Sequence, residues 1–231
     1  MAFNIDADDI GEIIGAMHFL RNQKLLHDYE SHKAEALHNR GFLGSDDVVW
    51  TVAAGPFGAE TVAYGRYAGM SIGIDPRFPN EGMVENCYYF AKTLEEVLTY
   101  ESVPQPTLVI SNRYSGINSV LSDILELETE PTCIFSPCSC NSCVEEYYLD
   151  ARPRSRYFRE NFPGMGHIDL DSRDPAGVDV LDMAETGRES GYLAHVAGFP
   201  VDEREVYFLF LTKNEALYDF VKAEVCGLVI P

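Results

Sequence analysis

Residues 47–76 constrain this chain more than any other stretch. They read Asp-Val-Val-Trp-Thr-Val-Ala-Ala-Gly-Pro-Phe-Gly-Ala-Glu-Thr-Val-Ala-Tyr-Gly-Arg-Tyr-Ala-Gly-Met-Ser-Ile-Gly-Ile-Asp-Pro. A β-rich apolar run at 48–52 leads into a turn holding Gly55 and Gly58. A helix-compatible segment follows from Ala59, and a second apolar run at 70–74 is closed by Asp75. Strand, glycine turn, helix, strand and acid in that order are what a nucleotide-type ligand asks of the first βαβ unit of a doubly wound sheet. Small residues let the backbone approach the ligand, the helix N-terminus faces it, and the acid receives ribose hydroxyls. Asp75 stands 20 residues after Gly55, the separation expected when the acid ends the second strand. The plainer reading, a strand-turn-helix that holds no ligand, stays open at this level.

Two cofactor classes use such a layout. A dinucleotide site prefers three glycines around its pyrophosphate, whereas this chain has Gly-x-x-Gly and places the bulky Phe57 in the turn. The class I methyltransferase layout fits better, because S-adenosylmethionine carries no phosphate and tolerates looser glycine placement. Ala53, Gly55, Gly58 and Asp75 are then the candidate cofactor-binding residues. The acid usual at the end of the first strand in that layout is here Thr51.

Charge narrows the partners. With 37 Asp plus Glu against 17 Lys plus Arg, the formal charge is −20. Such a field repels polyanions over roughly 8 to 10 Å, so unaided nucleic-acid binding is disfavoured unless basic residues gather locally. Arg152, Arg154, Arg156 and Arg159 do gather, in a run containing no acid. They form either a candidate anion-binding patch or a solvated surface paired with nearby carboxylates. A hydrophobic content of 46% supports a large core. No apolar run approaches the ~18 residues of a membrane span, and the first residues are acidic where a targeting peptide is basic, so a cytoplasmic protein is expected.

Six cysteines, at 87, 133, 138, 140, 143 and 226, suggest reduced thiols. Cys138, Cys140 and Cys143 offer three thiolates, but a structural zinc site needs a fourth ligand and the next histidine is His167. Small residues packing a strand end are the favoured reading, with no metal expected.

Taken in order, residues 8–40 read as two helices forming an N-terminal extension through residue 44, followed by one α/β domain over 45–231. His27, His32 and His38 are expected on an exposed helix face. Residues 86–100 suit a helix, with Tyr89, Phe90, Leu94, Val97 and Leu98 inward. Residues 107–111 are a short apolar strand, and the Asn112-Arg113-Tyr114-Ser115-Gly116 that follows should face the same crevice as Gly55 and Asp75. A helix at 118–127 and a strand at 132–136 come next. A helix from Val144 should be interrupted at Pro153, and 164–177 is an irregular excursion. A helix at 178–197, a strand at 205–211, a helix at 214–222 and a closing strand at 225–230 complete the reading. The expected fold is a doubly wound, mostly parallel Rossmann-like sheet with an antiparallel C-terminal edge.

The order of features also resembles the tRNA ribose 2′-O-methyltransferases that modify the acceptor stem and carry clustered cysteines and histidines after a central strand. The likeness lies in residues 43–58, in 110–121 with 134–148 (Ser-Pro-Cys-Ser-Cys-Asn-Ser-Cys-Val-Glu-Glu-Tyr-Tyr at 136–148), and in 186–217. It implies S-adenosylmethionine as cofactor, RNA as acceptor, Asn112, Arg113 and Tyr114 beside the transferred methyl, and Arg152, Arg154, Arg156 and Arg159 on phosphate. The chain departs from that pattern. Asn112-Arg113 stands where the family has lysine and histidine, and Ser139 or Cys140 and Asn141 stand where it has histidines. Arg113, always protonated, can orient an oxygen but cannot serve as a base. A methyltransferase fold that has lost catalysis and acts as a binding or assembly subunit, with a protein partner, is the second expectation.

Overall fold

The computed structural model describes residues 27, 30–55, 58–111, 117–135, 175–201 and 204–229. Eight strands form one sheet: β1 (Val48–Val52), β2 (Met70–Ile74), β3 (Gly82–Val84), β4 (Cys87–Phe90), β5 (Leu108–Ser111), β6 (Thr132–Phe135), β7 (Leu193–Val201) and β8 (Arg204–Thr212). The helices are α1 (30–39), α2 (Ala59–Gly65), α3 (Leu94–Val97), α4 (Ile117–Leu125), α5 (Pro175–Glu189) and α6 (Glu215–Val229). Strand order is β3-β4-β2-β1-β5-β6-β8-β7. The pairs β4–β2, β2–β1, β1–β5 and β5–β6 are parallel, while β8 runs antiparallel to both β6 and β7. This is the doubly wound α/β sheet expected, with its antiparallel strand next to the C-terminal edge. At the other edge the short β3 pairs antiparallel with β4.

Alternation along each strand divides the interior into two cores. Trp50, Val52, Ile72, Ile74, Val109 and Phe135 point to one face, where α3, α4 and α5 contribute Leu94, Val97, Leu121, Ile124, Val180 and Met183. Val49, Leu108, Ile110, Ile134 and Phe210 point to the other, under α1, α2 and α6 through Ala34, Leu37, Ala63, Tyr64, Leu217 and Val221. Near-continuous apolar strands follow from burial on both faces. On the second face α1 is further tied to α2 by polar groups inside the core. Lys33 pairs with Glu30 at 2.8 Å and the Tyr64 hydroxyl donates to Glu30 at 3.2 Å.

Three expected elements are corrected. The helix expected over 86–100 is instead strand β4 followed by a single turn, α3. Its aromatic run, Cys87 to Phe90, registers residue by residue against Ser71 to Ile74 of β2. Thr93 then starts α3 with a capping box, accepting from the Glu96 amide while the Glu96 carboxylate accepts from the Thr93 amide. The helix over 178–197 stops at Glu189. Gly191 takes φ +80°, and the Gly191 and Tyr192 amides donate to the carbonyls of Arg188 and Gly187, a glycine-terminated helix end that releases 193–201 into β7. The closing strand expected at 225–230 gives way to helix among the described residues, because α6, whose Leu217 amide donates to the capping Asn214 Oδ1 at 3.0 Å, runs on to Val229. The edge position is already filled by β7, which pairs with β8 from Leu193↔Thr212 to Val201↔Arg204.

Candidate functional site

The order of strand addition reverses around β1: β2 lies on one side of it and β5 on the other, so the crevice at the carboxyl ends of β1 and β5 is the topological switch point. The loop leaving β1 there is built from left-handed residues. Ala53 has φ +55°, Gly55 φ +72° and Gly58 φ +57°. Glycine adopts that region without penalty, whereas at Ala53 a Cβ is carried into it at some cost in strain. The Ala53 amide donates to the Ile74 carbonyl at 2.9 Å, joining the loop to the end of β2. Gly58 begins α2, and a Cβ placed there would lie 2.6 Å from Tyr89 Cε1, so the Tyr89 ring walls the loop on the β4 side. Phe78 meets Tyr89 edge-on at 5.1 Å. Burial, reinforced by the neighbouring Cys87 thiol, pushes the Tyr89 hydroxyl up to about 12, so it stays protonated at neutral pH. Gly55 itself is buried, and a Cβ placed there would meet no described atom within 4 Å.

Asp75, 1% exposed, follows β2 and is bound by the loop it faces. Its Oδ2 accepts from the Gly55 amide at 2.8 Å and from Arg77 Nη2 at 2.8 Å. Its Oδ1 accepts from the Arg77 amide at 2.8 Å and Arg77 Nε at 2.9 Å. Burial by itself would raise the carboxyl, but the Arg77 side chain and amide and the Gly55 amide outweigh it and hold Asp75 below the ordinary aspartate value. Arg77 in turn is raised by its bond to Asp75, and the charge of Glu60, in the first turn of α2, adds to that.

Thr51, in the place of the missing acid, is closed off. Its hydroxyl shares a 2.7 Å hydrogen bond with Thr61 of α2, and it is buried. Across β1, Ser111 ends β5 in register with Val52. The residue is 2% exposed, and its hydroxyl has no hydrogen-bond partner among the described residues.

Of the sequence candidates, the structure brings Ala53, Gly55, Gly58 and Asp75 together in one loop-and-strand-end cluster. Asn112, Arg113 and Tyr114, and Arg152, Arg154, Arg156 and Arg159, lie outside the described residues, as do Cys138, Cys140 and Cys143. The sequence reading missed Arg77, Ser111 and Tyr89. Arg77 was signalled only by standing two residues after the acid. No group of three or more metal-binding side chains occurs among the described residues, and no helix among them is long and apolar enough to cross a membrane.

No protein-family model matches the chain, and no curated protein matches it in sequence. Among solved structures it is similar to the precorrin-6y C5,15-methyltransferase of Geobacter metallireducens GS-15, with a TM-score of 0.46 and 12% identity over 78% of this chain and 87% of that one. It is similar also to an rRNA methylase from Streptococcus thermophilus, with a TM-score of 0.42 and 14% identity over 82% and 94% of the two chains. A third, the precorrin 8w decarboxylase of Methanobacterium thermoautotrophicum, gives 0.43 and 14% over 74% and 84%. At this distance the strand order and the loop geometry, and not these likenesses, carry the reading of the site.

Proposed function

We propose that the chain is an S-adenosylmethionine-dependent methyltransferase. The observation that carries this reading is the bond from the Gly55 amide to the Asp75 carboxylate, which couples the left-handed loop after β1 to the acid after β2 beside the switch point. The donor set fits a ribose-bearing cofactor without phosphates: an acid at the end of β2, room at Gly55 with no described atom within 4 Å of its Cβ position, and across β1 the Ser111 hydroxyl, which has no partner among the described residues. Ala53, Gly55 and Gly58 would lie along the cofactor, and Asp75 would receive its ribose. Once bound, the cofactor supplies a methyl group already activated by its sulfonium. The chain's task is then chiefly to hold the acceptor in line and exclude water, which is where much of the rate of such a transfer comes from.

RNA is the acceptor class we assign, on the sequence likeness and on Arg152, Arg154, Arg156 and Arg159, with Asn112, Arg113 and Tyr114 bordering the acceptor. Calorimetry with S-adenosylhomocysteine, then transfer of tritiated methyl groups to total RNA, tests the two levels separately. Failure of the first removes the methyltransferase reading, and failure of the second alone removes RNA. If RNA binds through the arginine run, its affinity should fall with salt at a log-log slope of about −2 to −3. Replacing Arg152, Arg154 and Arg156 by serine should then nearly abolish that slope.

A second reading, a methyltransferase-fold subunit without catalysis, is favoured by Thr51. The acid's place is taken by a hydroxyl already spent on Thr61. Cofactor binding without transfer to any RNA or protein acceptor would support it.

A further inference from the structure

An aspartate carboxylate offers about four acceptor positions. At Asp75 four donors occupy them: the Gly55 amide, the Arg77 amide, Arg77 Nε and Arg77 Nη2, all within 2.9 Å. A ribose diol brings two more donors and needs two acceptors. The two amides belong to backbone fixed by the loop and by the turn after β2, and they cannot withdraw without unfolding it. The guanidinium can. The Arg77 side chain is 62% exposed, so it can swing into water once ribose hydroxyls take its place on the carboxylate. The buried Glu60 of α2 also acts electrostatically on Arg77 and offers its charge a second acidic neighbour.

We propose that Arg77 gates the ribose site: its guanidinium closes on Asp75 when no ligand is bound and must swing off the carboxylate before a ribose diol is accepted. The inference rests on the cofactor reading given above. It makes Arg77 a competitor of the ligand and not one of its contacts, so affinity is divided by the fraction of chains in which the gate stands open. A geometrically good ion pair whose carboxylate is buried and whose guanidinium is exposed keeps most molecules closed, and removing it should tighten binding about three- to tenfold.

The test is calorimetric titration of the full chain with S-adenosylhomocysteine, for wild type, Arg77→Ala and Arg77→Lys, at low and high salt, with thermal unfolding of each variant alongside. Arg77→Ala should bind more tightly than wild type, and Arg77→Lys, which keeps the charge but loses the planar fork, should fall between them. Salt weakens the ion pair more than the hydroxyl contacts. Wild-type affinity should therefore rise with salt relative to Arg77→Ala, a trend that a merely structural arginine would not produce. If wild type binds and a folded Arg77→Ala binds no more tightly, or more weakly, the gate is overturned while the cofactor reading stands. If neither binds up to millimolar ligand, the cofactor reading itself falls and takes the gate with it.

Discussion

The two strand ends that flank β1 handle their polar groups in opposite ways. After β2 the Asp75 carboxylate is filled by Gly55 and Arg77, and beside it the Thr51 hydroxyl is consumed by Thr61. At the end of β5 the Ser111 hydroxyl, equally buried, has no partner among the described residues. Register places the two sides symmetrically about the loop, since Val52 pairs with Ile74 on one side and with Ser111 on the other. The β2 side is thus preassembled by its own side chains and admits a ligand only by displacement. The β5 side, among the described residues, leaves its hydroxyl unfilled and would admit one by addition. A buried acceptor that is filled contributes to stability, whereas a buried hydroxyl that is not filled subtracts from it, so the same pair of sites should separate in stability measurements.

The largest effect should come from Asp75→Ala. Removing the carboxylate leaves the Gly55 and Arg77 amides without their acceptor and unties the loop from β2, which should cost about 3 kcal/mol in urea unfolding. A loss below about 1 kcal/mol would show that the cluster is not preassembled and would erase the contrast. The same residue predicts acid sensitivity. Its carboxyl is held below the ordinary value of 3.8, so its contribution is fully present above that value and is lost as pH falls through the lowered folded one. Asp75→Asn should therefore flatten the acid limb of the stability profile below about pH 4, and an unchanged limb would assign that sensitivity to other carboxylates.

A smaller effect is expected at Thr51. Thr51→Val keeps the shape but strands the Thr61 hydroxyl in the interior, a loss of about 1 to 2 kcal/mol. The double variant Thr51→Val with Thr61→Val removes both partners and should recover most of it, because replacing a hydrogen-bonded pair by apolar groups of the same shape is nearly neutral. Additive losses in the double variant would mean that the 2.7 Å bond is not what holds these hydroxyls.

This half of the molecule was largely legible in the sequence because its signals are local. The apolar runs of β1 and β2, the glycines between them and the acid after β2 lie within thirty residues and need no knowledge of the rest of the chain. Legibility failed where the outcome depends on distant partners. Tyr89 and Phe90 read as a helix face until β2 is known to lie beside them, and 193–201 reads as a helix until β8 offers an edge. The Thr93 to Glu96 capping box was a local signal for the start of α3 that the apolar spacing obscured. Arg77 was invisible for a different reason: nothing in Asp-Pro-Arg says that the guanidinium turns back onto the acid two residues before it.

The smallest stability effect and the sharpest test of the contrast fall at Ser111. No described hydrogen bond is lost in Ser111→Ala, and the change removes a buried hydroxyl with no described partner. Stability should stay within about 0.5 kcal/mol of wild type or rise slightly, unlike Thr51→Val. If the hydroxyl is held for a ligand, S-adenosylhomocysteine affinity should nonetheless fall about three- to tenfold, the worth of one hydrogen bond made only in the complex. Stability and affinity would then move independently at β5 and together at Asp75. A destabilisation above about 1 kcal/mol at Ser111 would instead show that the hydroxyl is already bonded in the free chain. The two strand ends would then be built alike, and entry to the crevice would be a matter of displacement on both sides.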